Sequence, residues 1–150
     1  MKQGYDVFLV CSCGGHLTQI LKLNEAYKDY SHLFILSGRY DPVDEMRDRA
    51  VQITHSERDF KFFINLIEMY RLFKKHKPKV VISTGASPAV AAVAMRLLFR
   101  FKFIYIESIS RVATLSLTGR IMYQLSDYFF VQWPKLTEKY PRALFKGNIL

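Results

Sequence analysis

Two short glycine-containing segments have the composition of phosphate-binding turns. Residues 12–16 read Ser-Cys-Gly-Gly-His, residues 83–88 read Ser-Thr-Gly-Ala-Ser-Pro, and each follows an apolar run. Glycines let backbone N–H groups approach an anion closely, and the start of a following helix adds free N–H groups and a positive dipole end. The spacing is not the dinucleotide fingerprint G-x-G-x-x-G. Each segment alone also fits a plain strand–helix turn, whereas two at one sheet edge favour a shared anionic ligand.

A third polar segment, residues 107–111, follows a very apolar run. Its carboxylate, Glu107, comes directly after that run. A carboxylate partly removed from water has a raised pKa and can act as a general base. The alternative is a structural carboxylate that caps a neighbouring loop or pairs with Arg111.

Apolar runs of strand length alternate with longer helical patterns along the chain. The predicted strands are residues 5–11, 33–37, 50–54, 79–83, 102–106, 128–131 and 143–145, and the predicted helices are 16–30, 59–75, 88–99 and 114–125. This alternation predicts one α/β domain over residues 1–150, with a parallel sheet and helices on both faces. Ligands of such sheets bind beyond the carboxyl ends of the strands, so the three polar segments are expected to meet there.

The predicted helix 59–75 is apolar along two stripes. Phe60, Phe63, Ile64 and Ile67 form one stripe, and Phe62, Leu66, Met69 and Phe73 form the other. Several basic residues lie near its end, and apolar surface beside a basic cluster is typical of contact with an anionic bilayer. We expect the second stripe to face the membrane together with Lys74, Lys75 and Lys77. Burial of both stripes in the protein is the alternative.

The charge balance points to an anionic partner, because 22 Lys and Arg face 13 Asp and Glu. Nucleic acid is a weak option, since no RNA-recognition or helix-turn-helix pattern occurs. Cys11 and Cys13 are expected to be free thiols in a reducing cytosol. No signal peptide or spanning helix is visible, and basic residues interrupt the most apolar stretch. We therefore expect a cytoplasmic protein, peripheral on the inner face of the plasma membrane.

Several motifs together resemble one family. They are the Gly-Gly-His helix start, the run S-T-G-A-S-P-A-V, Ile104 to Ser108 with Arg111 and Val112, Leu115 to Gly119, and Val131 to Pro134. The sequence resembles, over nearly its whole length, the acceptor subunit of the split UDP-GlcNAc transferase that acts on dolichol-diphosphate-GlcNAc. It also resembles bacterial relatives of that subunit in capsule and exopolysaccharide synthesis. A more distant similarity is to the N-terminal half of the transferase that adds GlcNAc to the undecaprenyl-diphosphate-linked cell-wall precursor.

The resemblance implies a Rossmann-like fold, the N-terminal half of a GT-B glycosyltransferase, that needs neither metal nor cofactor. The donor domain, which binds most of the UDP-sugar, would come from a partner chain. The resemblance and the turn chemistry together place the acceptor diphosphate at Ser12, Gly14, Gly15, His16, Thr84, Gly85, Ala86, Ser87 and Arg111. Glu107 or His16 would accept the proton of the attacking hydroxyl, with Glu107 favoured as the base and His16 at the diphosphate.

The expected function is that of a subunit of an inverting glycosyltransferase. It would add a sugar from a UDP-sugar to a polyprenyl-diphosphate-linked sugar, and it would be inactive without its partner. The eukaryotic subunit carries an N-terminal membrane helix that this sequence does not show, so the resemblance implies peripheral attachment or recruitment by the partner. The alternative is a non-catalytic scaffold that anchors and activates a partner transferase at the membrane.

Overall fold

The computed structural model describes residues 4–40, 44–56 and 59–149 of the chain. Its centre is a parallel sheet with the strand order β3-β2-β1-β4-β5-β6-β7. The strands are β1 (Val7–Ser12), β2 (His32–Ser37), β3 (Ala50–Ile53), β4 (Val80–Gly85), β5 (Lys102–Ile106), β6 (Tyr128–Val131) and β7 (Leu144–Phe145). The predicted parallel sheet is confirmed, and each predicted strand has a counterpart.

Helices and 3₁₀ turns connect the strands. They are α1 (Gly15–Lys22), α2 (Asn24–Tyr27), a 3₁₀ helix (Asp44–Arg49), α3 (Lys61–His76), α4 (Ser87–Ala94), a 3₁₀ helix (Met95–Leu97), α5 (Leu117–Leu125) and α6 (Lys135–Lys139). The predicted helix 16–30 is broken at Leu23, and the predicted helix 88–99 ends as a 3₁₀ turn. The helix predicted from 114 begins at Leu117, because the Ser116 hydroxyl caps it by accepting a hydrogen bond from the Gly119 N–H at 2.8 Å.

The two faces of the sheet carry separate apolar cores. Side chains that alternate along each strand point to opposite faces, so β1 supplies Phe8 to one core and Leu9 to the other. The helices α3, α4 and α5 cover the Phe8 face. The helices α1 and α2 cover the Leu9 face through Leu17, Ile20 and Tyr27. Burial on both faces explains why the strand sequences are continuously apolar.

The stripe of α3 predicted to face the membrane faces the core instead. Met69 and Phe73 are both 0% exposed, and Phe62 and Leu66 are half-buried against the same core. Phe73 packs edge-on against the Phe8 ring, with the ring centroids 5.1 Å apart. The prediction was therefore wrong for this stripe, because these rings fill the space between α3 and the sheet. Lys74, Lys75 and Lys77 are exposed, and their contact with a membrane stays a prediction.

The order in which strands are added to the sheet changes direction at the boundary between the neighbouring strands β1 and β4. From β1 the chain moves outward to β2 and β3, and it then returns to place β4 on the other side of β1. Open parallel sheets bind their ligands at such a switch point, outside the carboxyl ends of the strands. The two glycine-containing segments follow β1 and end β4, so the fold brings both to this position. Within residues 4–40, 44–56 and 59–149, no helix is long and apolar enough to cross a bilayer.

Candidate functional site

The two glycine turns touch each other at the switch point. Cys11, near the end of β1, is in register with Gly85, the last residue of β4. The Thr84 hydroxyl donates a hydrogen bond to the His16 carbonyl at 2.8 Å, so the second turn is tied to the first turn of α1. The sequence-based expectation that these segments meet at one sheet edge is confirmed.

The start of α1 is open to a ligand. Gly14 precedes the helix with φ 94°, a left-handed conformation that favours glycine, and a β-carbon there would meet nothing within 4 Å. Gly14 and Gly15 are both exposed, and no side chain of the described residues caps the helix. The first N–H groups of an α-helix have no partner within the helix. This turn therefore presents free donors and a positive dipole end to the crevice.

Gly85 leaves room for the imidazole of His16. Its φ is 111°, and a β-carbon there would lie 2.9 Å from His16 Cε1 and 3.4 Å from the Tyr105 hydroxyl oxygen. Burial lowers the pKa of His16, against the opposing effects of the Thr84 backbone and the Glu107 charge. Its Nδ1 is shielded from solvent and has no hydrogen-bond partner among the residues with described positions. His16 is therefore a neutral imidazole at neutral pH with one unsatisfied ring nitrogen.

The two cysteines beside the first turn are free thiols, as predicted. Burial raises the pKa of Cys11 to about 12, and burial also raises the pKa of Cys13. Only the thiolate is a good nucleophile, and the raised pKa values favour the less reactive thiol form of both side chains.

Glu107 is buried under the start of α5. It is 1% exposed, and its Oε2 accepts a hydrogen bond from the Ser116 N–H at 2.9 Å. The Ser116 hydroxyl and the Ser108 N–H also donate to this carboxylate, at 3.0 Å and 2.9 Å. The side chain of Arg111 is exposed, and the ion pairs of the described residues do not include one between Arg111 and Glu107. The geometry matches the alternative of a carboxylate that holds a neighbouring loop, while its role as a base stays a prediction.

Two buried glutamines, which the sequence reasoning missed, connect the site to the rest of the fold. The Gln132 side-chain N–H₂ donates to the Gln19 side-chain oxygen at 2.6 Å and to the Glu107 carbonyl at 3.0 Å. The Gln19 oxygen also accepts from the Ile109 N–H at 3.1 Å, and the Gln132 oxygen accepts from the Ile149 N–H at 2.7 Å. For Gln132 the available signal was an amide directly after an apolar strand, whereas Gln19 lies within α1 and carried no such signal. The pair fixes the 107–109 loop against α1.

The remaining predicted diphosphate ligands differ in availability. The Ser87 hydroxyl donates to the Ser56 carbonyl at 2.7 Å, which links α4 to the loop after β3. Asn65 of α3 donates to the Ser56 hydroxyl at 2.7 Å. Ser12 is half-buried at the end of β1, and Ala86 is half-buried between β4 and α4. The Ser87 side chain is thus occupied by a structural contact, which leaves its backbone for a ligand.

The proteins whose sequences are similar to this chain share one description. Residues 38–149 match the family described as "Oligosaccharide biosynthesis protein Alg14 like". The human UDP-N-acetylglucosamine transferase subunit ALG14 is 28% identical over 99% of this chain and 85% of its own length. The subunit from Yarrowia lipolytica is 43% identical over 53% of this chain and 40% of its own length.

Similar solved structures show the same fold. MurG from Acinetobacter baumannii superposes with a TM-score of 0.69 at 15% identity, over 95% of this chain and 45% of its own. The UDP-GlcNAc 2-epimerase from Neisseria meningitidis gives 0.66 at 13% identity and is covered to 47%. The chain spans less than half of these structures, and the predicted Rossmann-like N-terminal half of a GT-B fold is confirmed. With three quarters of its sequence matching, this chain belongs to the family of Alg14-like oligosaccharide biosynthesis proteins.

Proposed function

We propose that this protein is the acceptor-binding subunit of an inverting glycosyltransferase. It would transfer a sugar from a UDP-sugar, with UDP-GlcNAc as the first candidate, to a polyprenyl-diphosphate-linked sugar. The names of its relatives support the class of reaction and the donor. The observation that carries the acceptor side is the open start of α1, which the Thr84–His16 hydrogen bond joins to the second glycine turn.

The diphosphate of the acceptor would lie at the two turns. The free N–H groups at Gly15 and His16 would bind its oxygens, and the start of α4 at Ser87 would add further donors. The exposed side chain of Arg111 lies on the loop after β5, at the same edge of the sheet. Its guanidinium suits bidentate contact with a phosphate.

The geometry favours His16 over Glu107 as the base, which reverses the roles expected from the sequence. A base must reach the hydroxyl proton that it removes. Glu107 is buried and already accepts several hydrogen bonds, whereas the side chain of His16 is half-buried and neutral. Because its Nδ1 is shielded from solvent, Nε2 is the ring nitrogen that would accept the proton. We propose that His16 accepts the proton and that Glu107 positions the 107–111 loop and the start of α5.

One observation favours the second candidate function, the non-catalytic scaffold. The carboxylate that the sequence suggested as the base is engaged in structural hydrogen bonds. In that case the partner would contain the whole catalytic apparatus, and this chain would anchor and activate it.

Two further parts of the proposal come from the resemblance. The protein would work peripherally, on the cytoplasmic face of a membrane that holds the lipid-linked acceptor. That the glycan is a capsular polysaccharide or an exopolysaccharide stays a prediction.

Reconstitution tests this function. The purified chain is assayed with a soluble prenyl-diphosphate-GlcNAc and UDP-GlcNAc, alone and mixed with its donor-binding partner. We expect no transfer by the chain alone, transfer by the mixture, and the same rate in the presence of EDTA. Full turnover by the single chain would refute the split enzyme. Activity of the mixture that survives loss of both His16 and Glu107 would instead support the scaffold.

A further inference from the structure

The outer face of α3 exposes large apolar side chains. Phe60 is 75% exposed, Phe63 is 68% exposed and Ile67 is 54% exposed, and Ile64 and Tyr70 lie on the same face. Their spacing of three and four residues keeps them on one side of the helix, opposite the side that packs on the sheet. Exposed side chains of this size in one contiguous patch mark an interaction surface.

The patch continues onto the 3₁₀ helix Met95–Leu97, which packs against α3. Leu97 is 89% exposed and its neighbour Leu98 is 65% exposed. The rings of Tyr70 and Phe99 lie 5.9 Å apart and join the two elements. We call the exposed residues Phe60, Phe63, Ile64, Ile67, Tyr70, Leu97 and Leu98 the α3 surface.

Basic residues border the α3 surface at the end of the helix. Arg71, Lys74 and Lys75 are exposed, and the Lys74 ammonium lies 5.9 Å from the centre of the Tyr70 ring. Arg100 is exposed beside Leu98 and Phe99. The one carboxylate of α3, Glu68, accepts hydrogen bonds from the Thr54 N–H and hydroxyl, both at 3.0 Å. The outer face of the helix therefore combines apolar area with positive charge.

We propose that the α3 surface binds an anionic phospholipid bilayer. Phenylalanine, isoleucine and leucine would enter the headgroup–acyl boundary, while lysine and arginine would contact anionic headgroups. Charge complementarity argues for lipid, because protein–protein interfaces are depleted in lysine relative to the rest of a protein surface. This face is the stripe opposite the one that the sequence pattern suggested.

The position of α3 relates this surface to the candidate site. The helix starts at the carboxyl edge of the sheet. There, Asn65 donates a hydrogen bond to the Ser56 hydroxyl, and the Ser87 hydroxyl at the start of α4 donates one to the Ser56 carbonyl. A bilayer on the α3 surface would therefore lie beside the glycine turns. This inference rests on the proposed function in one respect: the purpose of membrane binding would be to hold the site near a lipid-linked acceptor.

Vesicle binding by the purified full chain tests the proposal. Sedimentation with phosphatidylcholine vesicles is compared with vesicles containing phosphatidylglycerol, at low and high salt. We expect stronger binding to the anionic vesicles, which weakens as salt rises. The pair Lys74→Glu and Lys75→Glu should lose at least about 30-fold in affinity, because each basic residue near the surface contributes a factor of about 5. Phe63→Ser with Ile67→Ser should lose about tenfold or more.

Matched controls lie elsewhere on the molecule. Lys135→Glu with Lys139→Glu reverses two exposed lysines on α6. Leu21→Ser with Tyr30→Ser changes two exposed apolar side chains on the opposite face of the sheet, one on α1 and one after α2. These pairs should change binding less than about threefold, because lipid affinity scales with the area and charge at the contact. Circular dichroism checks that every variant is folded.

Three outcomes would overturn the proposal. In the first, the chain binds neutral and anionic vesicles equally and without dependence on salt. In the second, the α3 variants bind vesicles as well as the wild type does. In the third, the α3 variants no longer form the complex with the partner but still bind vesicles normally. The last outcome would make the α3 surface a protein interface. The assay involves no sugar transfer, so its failure leaves the proposed function intact. Conversely, an inactive reconstituted enzyme that binds vesicles as expected would contradict only the proposed function.

Discussion

Gly119 makes room for the carboxylate of Glu107. A β-carbon at position 119 would lie 1.8 Å from Glu107 Oε2, and both residues are buried at the start of α5. We therefore expect Gly119→Ala to displace the carboxylate from the Ser116 N–H and hydroxyl. Overpacking of this kind costs on the order of 1–3 kcal/mol in the free energy of unfolding. Urea denaturation of the purified chain measures it.

The control for that variant is Gly15→Ala. A β-carbon at Gly15 would meet nothing within 4 Å, and the residue begins a helix, in which alanine is favoured. Its free energy of unfolding should be equal to that of the wild type or higher. If both alanine variants unfold at the same urea concentration, the tight contact between Gly119 and Glu107 is refuted.

The kinetics of two variants separate the roles of His16 and Glu107. We expect His16→Gln to lower kcat of the reconstituted enzyme by about 10²–10⁴-fold, the usual contribution of a general base. Glu107→Gln should act mainly on the acceptor KM and on stability, because the amide N–H₂ cannot accept the hydrogen bonds that the carboxylate accepts. Steady-state rates with varied acceptor distinguish these patterns. A loss of kcat for Glu107→Gln alone would restore the roles expected from the sequence.

His16 also makes stability depend on pH. Burial lowers the pKa of His16 in the folded protein below its ordinary value of 6.5. Below pH 6.5, the unfolded chain therefore binds a proton at His16 more readily than the folded protein does. The wild type should therefore lose stability as pH falls from 7 to 5, and His16→Gln should lose less. His76, whose pKa is also lowered by burial and by Lys75, contributes in the same direction, so His76→Gln is the parallel variant. Urea denaturation at both pH values gives the difference, and equal slopes for wild type and His16→Gln would contradict it.

Gln132→Glu tests the buried amide network. The substitution removes the N–H₂ group that donates to Gln19 and to the Glu107 carbonyl. The Gln19 oxygen keeps the Ile109 N–H as a donor, but it would face a carboxylate oxygen, and the Glu107 carbonyl loses its donor. A buried acceptor left without a partner costs about 1–3 kcal/mol, so we expect a clear loss of stability and faster hydrogen exchange at the Ile109 N–H.

Gln52→Glu is the matched control for Gln132→Glu. Gln52 also donates to two carbonyls, those of Gly38 and Tyr40, but it is exposed, so water can replace its contacts. Its loss of stability should stay below about 0.5 kcal/mol. Equal losses for the two variants would show that burial of the Gln132 network adds nothing.

The sheet could be predicted from the sequence because β1, β2, β4 and β5 are continuous apolar runs bounded by turn residues. The meeting of the two glycine turns followed from the same prediction, since both turns follow strands that point the same way. Short elements such as α6 could not be predicted, because five residues make little more than one helical turn, which is too short to show a periodic apolar pattern. The break at Leu23 depends on how α1 and α2 pack, which local sequence does not record.

Other features depend on contacts between distant residues. The apolar pattern of α3 contains two stripes, and periodicity alone does not tell which of them meets the sheet. The actual choice is visible only once Phe73 is seen to contact Phe8 and Phe101. The partners of Glu107 and Gln132 likewise come from separate parts of the chain. The local sequence therefore does not distinguish a polar residue that faces a ligand from one that holds a neighbouring loop.

The central position of β1 affects how the chain is made. Val7 is paired with His32 on one side and with Val80 on the other, so the second partner is translated only after α3. Until then, the β4 side of this strand, which is apolar from Val7 to Cys11, has no hydrogen-bonding partner. Nascent chains that end before β4 therefore expose an open strand edge, which is the type of surface that leads to aggregation during synthesis and that chaperones protect.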